Sequence, residues 1–277
     1  DSMLVVKSPA PEYPADFSGG FILVNTKDVP SSNLFTISVG TSLNDQTHFK
    51  KFLYNKGSGT DFLGFDNGFR SLKGGINAVL SPMNNGYDLL NNGLNNDWTV
   101  KDRRPLADLS LNMNFSRRWV DSSGRTLAIL GTVNYSNSYR TYLDMDNNLF
   151  GAYDMTHDCS NYLRKSIDDQ YNHSVRIGTM LNFTYIPASG NSRYEFKNIF
   201  NQLGKDRYTY RKGTDAQSDY EESAEYYYQS RTTYNGQFTG KHTLGNTDKL
   251  DWSAGYSYAN RNMPDRRRYT TVLNEET

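Results

Sequence analysis

Apolar and polar residues alternate along most of this chain. A period of two is what a β-strand with one buried face imposes, because successive side chains leave opposite faces. The clearest run is Ala107 to Trp119, where Ala107, Leu109, Leu111, Met113, Phe115 and Trp119 share one face and Asp108, Ser110, Asn112, Asn114, Ser116 and Arg118 share the other. The same pattern recurs in Phe35–Leu43, Leu127–Tyr135, Val175–Tyr185, Tyr226–Phe238 and Leu250–Tyr258, with a less regular run over Arg193–Tyr210. Seven strands are predicted, and no helix.

The connections sort by length. Short turns are predicted at Asp121–Gly124, Ala188–Asn191 and Gly245–Asp248, each with the Gly or Asn that tight turns need. Between them lie long loops over about 55–104, 144–169 and 212–223, the last one acidic. Short turns at one end and long loops at the other are the habit of an outer-membrane β-barrel. A soluble sandwich has no reason to sort its connections this way.

Composition fits that class once the alternation is known. Only 36% of the 277 residues are hydrophobic and mean hydropathy is −0.75, yet 14% are aromatic, including 21 Tyr. Disordered chains are poor in aromatics, whereas barrels average out as polar and concentrate Tyr and Trp at their interfaces. No run of eighteen apolar residues predicts a transmembrane helix, which leaves strand-spanning open. Thirty basic side chains balance thirty acidic ones, so no basic field predicts a nucleic-acid partner. The single cysteine, Cys159, rules out an internal disulfide framework. The opening DSMLVVKSPAPEYP lacks the basic and apolar regions of a signal peptide.

Little in the sequence suggests catalysis. His48, His157, His173 and His242 are scattered, with no metalloprotease or nucleophile-elbow motif, so neither an enzyme nor a cofactor or metal site is predicted. Gly236–Thr243 approaches a phosphate loop but is one residue short and sits within a strand pattern. Asn-x-Ser/Thr triplets at Asn114, Asn134, Asn172 and Asn182 fall within strands as by-products of a polar face. Asp144, Asp146, Asn147 and Asn148 offer oxygen ligands for calcium, but without the Gly and distal Glu of a calcium loop they read as a solvated turn. Glu221, Glu222 and Glu225 read as a solvated acidic stretch. Tyr226, Tyr227 and Tyr228 read as part of an interfacial girdle, with Tyr227 free to face a ligand.

Residues 3–30, MLVVKSPAPEYPADFSGGFILVNTKDVP, resemble the end of the plug domain of TonB-dependent outer-membrane receptors. The resemblance rests on Val5, Val6, Lys7, Pro9, Tyr13, Gly19, Gly20, Ile22, Val24, Thr26 and Lys27. NLFTISVGTSLN then looks like the first barrel strand. LGFDNGFRSL at 63–72 resembles the first-loop segment Gly-Phe-Asp-Asp-Gly-x-Arg-x-Leu-Pro of the large receptors that carry a carboxypeptidase-regulatory-like domain. It departs from that segment at Asn67 and Lys73.

The resemblance implies an all-β fold: the C-terminal end of a plug over 1–30, and over 31–277 the first seven or so antiparallel strands of a 22-stranded transmembrane β-barrel. It implies a partial receptor in the bacterial outer membrane that actively imports a bulky nutrient. The implied partners are outer-membrane lipid, the TonB complex through an N-terminal segment not present here, the remaining plug and barrel strands and, in the large receptor type, a surface lipoprotein. Ligand-contacting residues stay unassigned, and a glycan or peptide cargo rests on the first-loop resemblance alone. Two alternatives stay open: a passive or structural outer-membrane barrel, porin-like or an adhesion scaffold, and a soluble secreted sugar-binding β-sandwich.

Overall fold

A computed structural model describes residues 2–6, 21–25, 29–71, 95–245 and 247–273. Its elements are β1 (Ser2–Val6), β2 (Phe21–Asn25), β3 (Leu34–Ser42), β4 (Phe52–Tyr54), β5 (Lys101–Arg103), β6 (Asp108–Val120), β7 (Thr126–Asp146), β8 (Leu149–Asp154), β9 (Cys159–Ile186), β10 (Ser192–Asp215), β11 (Tyr220–Leu244) and β12 (Asp248–Val272), with one 3-10 turn at Asp61–Leu63. The molecule is all-β, and every strand pair is antiparallel.

The main sheet has the order β12-β11-β10-β9-β7-β6-β3, with β8 paired to β9, so seven long strands follow one another as an up-and-down meander. β1 pairs with β2, and β4 with β5, as separate two-stranded sheets. Among the described residues β3 and β12 pair on one side only. The sheet is therefore open, and each edge presents unpaired backbone donors and acceptors.

All seven strands lie where alternation predicts them, but they run further. The expected loop over 144–169 is largely strand: β7 continues to Asp146, β8 forms a short hairpin arm, and β9 begins at Cys159. The expected loop over 212–223 shrinks to residues 216–219. Paired backbone satisfies its own polar groups, so these polar segments extend as ladders. The short turns stand as expected, with Gly124, Gly190 and Gly245 at positive φ. The asymmetry between the two ends is thus one of strand overhang as much as of loop length. Within the main sheet only the connection between β3 and β6 is long, and 72–94 within it lies outside the described residues.

Cross-strand register carries one face through the sheet. Phe35 opposes Phe115, Met113 opposes Val133, Ile129 opposes Phe183, Phe183 opposes Phe196, and Phe196 opposes Phe238. Near the short turns this face is apolar and exposed: Ile37 is 60% and Val39 69% accessible. The opposite face there is polar and in part buried, with Asn182, Thr184 and Glu195 among its residues. A soluble sheet would bury the first and expose the second. One register line closes the apolar band on the turn side, running Trp119–Leu127–Tyr185–Tyr194–Gly240–Trp252. A side chain at Gly240 would strike the Trp252 indole.

Past the band, towards the overhang, the same face is covered by the long connection. Three arginines fasten it. Arg103 lies over the rings of Tyr54 (4.5 Å) and Tyr139 (4.8 Å), and Tyr139 stacks on His173 at 4.3 Å. Arg70 sits 3.8 Å over the Tyr228 ring while its fork holds Asp61 at 2.7 and 2.6 Å and Asp66 at 2.9 Å. Arg267, on β12, stands over Trp98 and Tyr226 and donates to the Asn95 and Asp97 carbonyls. Phe52, Tyr171, Tyr208, Ala224 and Tyr226 form the buried core beneath. Each desolvated cation–π contact contributes up to about 2 kcal/mol.

Candidate ligand-binding face

The polar face offers a concavity of about 390 Å³ whose floor is set by a missing side chain. Gly178 opposes Asn134 on β7 and Asn201 on β10. A Cβ at Gly178 would lie 3.3 Å from Asn201 Oδ1 and 3.9 Å from Asn134 Nδ2, so the two amide heads flank the gap it leaves. Asn112 and Thr233 extend the floor, and Asn201 Nδ2 reaches Thr233 Oγ1 at 3.5 Å. The next register row towards the overhang carries Ser110, Ser136, Arg176, Leu203 and Arg231. Amide and hydroxyl groups both donate and accept, and arginine presents a planar donor fork. The surface is thus equipped to hold a polar, oxygen-rich ligand.

A second cavity, of about 220 Å³, lies under the long connection between Tyr54, Asn55, Ser58, Arg103, His173 and Asp206. Asp206 and His173 are cross-strand partners, set beyond the apolar band. Burial pushes the Asp206 carboxyl up to about 6, against the pull of Arg70 and Arg103. Burial, aided by Arg103, pushes His173 down to about 3, so its ring is neutral, and it pairs with Asn137 Oδ1 at 2.9 Å.

Of the residues singled out by sequence, Asn134 flanks the notch and His173 lines the second cavity; the others fall elsewhere. His48 accepts from the Asn44 amide at Nδ1, which leaves Nε2 to donate to Asp108 at 2.9 Å, a buried brace at the root of the connection. His242 accepts from the Trp252 indole at Nε2 and meets Ser192 Oγ through Nδ1. His157 pairs with Asp154 in an exposed turn. Asn147 and Asn148, expected in a solvated turn, instead serve the strands: Asn147 donates to Asp168, and Asn148 accepts from the Ser166 amide. Among the described residues no cluster of three or more His, Cys, Asp or Glu is arranged to hold a metal ion. Glu225 is no solvated acid, since it pairs with Arg207 and Arg266.

The tyrosine triplet departs most from expectation. Tyr226 and Tyr228 are 4% and 3% accessible, covered by the connection, with the Tyr226 hydroxyl donating to the Trp98 carbonyl. They belong to a covered core above the band. Tyr227 points to the polar face, among Arg207, Arg266 and Gln229. Gly236–Thr243 lies inside β11, and Cys159 is free and exposed. The four Asn-x-Ser/Thr asparagines all lie in strands.

Sequence reading found the polar face but missed the notch and its arginines. Alternation assigns faces one strand at a time, whereas the site is a property of register between strands. Comparison with protein-family models, with curated proteins and with solved structures gives no match.

Proposed function

We propose that this chain is part of a TonB-dependent outer-membrane receptor, with 1–30 the end of its plug and 31–277 its first barrel strands, and that the receptor actively imports a bulky nutrient. The observation that carries the reading is the exposure of the apolar face. On β9 that face runs from Tyr185 to Ile177, beyond which Val175 is buried at the row where the long connection docks, about 27 Å along the strand at about 3.4 Å per residue. At a tilt of about 35–45° it covers about 19–22 Å, close to the height of a barrel's lipid-facing band. The row of Trp119, Tyr185, Tyr194 and Trp252 suits the aromatic girdle at one interface. The polar face then borders lumen and plug, and β3 and β12 await further strands to close the wall.

In this reading the protein's work is binding and gating. Ligand engages the overhang and the lumen wall, and force transmitted through TonB displaces the plug. No bond in the cargo is made or broken. The partners are lipid, the remaining plug and barrel strands, the TonB complex and a surface lipoprotein.

Cell fractionation with a genetic control tests this. The full-length protein is expected in the outer-membrane fraction, released only by detergent, and its uptake activity is expected to vanish when tonB is deleted. Uptake that survives the deletion would make it a passive barrel, and recovery as a detergent-free soluble monomer would make it a sandwich. Phe115→Arg, in the middle row of the band, is expected to lower outer-membrane yield far more than Asn114→Arg on the polar face, because a lipid-facing charge near midplane costs about 2–4 kcal/mol.

A further inference from the structure

The polar face carries a line of positive charge that no acid meets among the described residues. Arg176 opposes Leu203, Leu203 opposes Arg231, and Arg231 opposes Arg261, which sets three arginines on one face of four neighbouring strands. Lys205 follows two residues along β10 on the same face. Like charges directly opposite each other on an antiparallel pair are destabilising, and Arg231 faces Arg261 in just that way. Among the described residues no ion pair involves Arg176, Lys205, Arg231 or Arg261. The nearest carboxylates on this face are already taken: Asp108 by Arg140 and His48, Glu225 by Arg207 and Arg266, Glu195 by Lys197. Arg261 reaches only neutral atoms, the Tyr227 hydroxyl and the Met263 sulfur, both at 3.4 Å.

Directly beside this line lies the Gly178 notch with Asn134, Asn201, Asn112 and Thr233. The two rows differ in chemistry. One offers guanidinium forks, whose geometry matches carboxylate or sulfate oxygens two at a time. The other offers amides and a hydroxyl, which both donate to and accept from sugar hydroxyls. Strand spacing puts Arg176 and Arg231 about 10 Å apart, two strands at about 4.8 Å each, the span of a short oligomer more than of one monosaccharide. Apart from Leu203 the two rows hold no large apolar side chain that would line a pocket for peptide side chains.

We propose that Arg176, Arg231 and Arg261, with Lys205, form a binding row for an acidic oligosaccharide whose anionic groups meet the arginines while its hydroxyls enter the Gly178 notch. The inference rests on the polar face being open to water and to cargo, and it deepens the receptor reading by naming the cargo's class. Salt weakens such binding by screening, and arginine-to-glutamine changes remove the charge while keeping a polar side chain.

Titration calorimetry on the full-length protein, purified in detergent, tests the row with three probes: hexa-galacturonate, a neutral galactose hexamer and hexa-glutamate. Hexa-galacturonate is expected to bind, the neutral hexamer at least tenfold more weakly. The double variant R176Q/R231Q is expected to bind hexa-galacturonate at least tenfold more weakly than the parent, and Gly178→Val to weaken it severalfold by filling the notch. Circular dichroism and heat-modified gel migration matching the parent exclude misfolding as the cause of a loss; if R176Q/R231Q misfolds, Gly178→Val and the salt dependence of the parent decide. Equal affinity for the neutral hexamer, tighter binding of hexa-glutamate, an unchanged affinity in the folded variants or no binding of hexa-galacturonate would each overturn the proposal. Because membrane location and TonB dependence are measured separately, a membrane-resident receptor that ignores hexa-galacturonate would remove this inference alone.

Discussion

The backbone of Gly64 lies against that of Gly204: a Cβ on Gly204 would stand 2.5 Å from the Gly64 Cα, and a Cβ on Gly64 would stand 2.9 Å from the Gly204 amide nitrogen. Gln202 locks the approach by donating from Nε2 to the Gly64 carbonyl at 2.5 Å. Gly64 also needs its positive φ of 78° to end the 3-10 turn. The long connection is thus docked on β10 through two absent side chains.

Gly204→Ala is expected to cost about 1–3 kcal/mol through overpacking against backbone that cannot rotate away. It should expose the connection to protease while β9–β12 stay protected. Limited proteolysis with a thermal melt reads both effects, and an unchanged cleavage pattern would show that the contact is not needed.

Arg70 is the cation that pairs with a cluster of acids. Its side chain is 4% accessible and pairs with Asp61 and Asp66, with Asp206 close behind. Arg70→Ala is expected to cost about 3–5 kcal/mol, since among the described residues Asp61 and Asp66 lose the one cation that pairs with them. Arg70→Lys should recover little, because an ammonium cannot grip Asp61 at two points while lying flat on Tyr228. Equal stability of Lys and Arg at this position would argue that charge alone matters.

Asp206 and His173 give opposite pH signatures. The folded state raises Asp206 from 3.8 to about 6, so its contribution to stability is full below about pH 4 and is lost as pH climbs through 6. His173, lowered from 6.5 to about 3, contributes fully above about pH 6.5, and that contribution is lost as pH falls towards 3. In the wild type the two slopes oppose each other between pH 4 and 6. Asp206→Asn is therefore expected to raise the melting temperature at pH 7, with the gain fading by pH 4. His173→Gln is expected to gain on the wild type as pH falls from 6.5. Melting curves from pH 4 to 8 check both, and offsets that do not vary with pH would contradict the assignment.

Near the short turns the sequence was legible because one face is uniformly apolar there. Leu181, Phe183 and Tyr185 repeat with period two, as do Leu109, Leu111, Met113 and Phe115, and the seven strands follow from that period alone. Beyond the band, parity stops carrying information. Asp206, Tyr208, Tyr226 and His173 share a face with Phe183 and Phe196, yet they are covered by the connection, so polar and aromatic residues mix and the strand reads as loop. Tyr226 and Tyr228 have the parity of a girdle, but their height along the strand places them in a buried core; the row that does suit a girdle, from Trp119 to Trp252, lies at the other end. The arginine row was hidden for a different reason. Arg176, Arg231 and Arg261 are 55 and 30 residues apart, and only the hairpin register set by the turns brings them into line.

In the receptor reading the exposed apolar face meets lipid. Spin labels placed singly at successive positions 127–136 of β7, in the full-length protein with Cys159 replaced by serine and in native outer-membrane vesicles, test it most directly. Accessibility to oxygen should peak at Leu127, Ile129, Gly131, Val133 and Tyr135, and accessibility to a water-soluble nickel chelate should peak at the positions between. Nickel access at the apolar positions equal to that at Asn134 and Ser136 would contradict it.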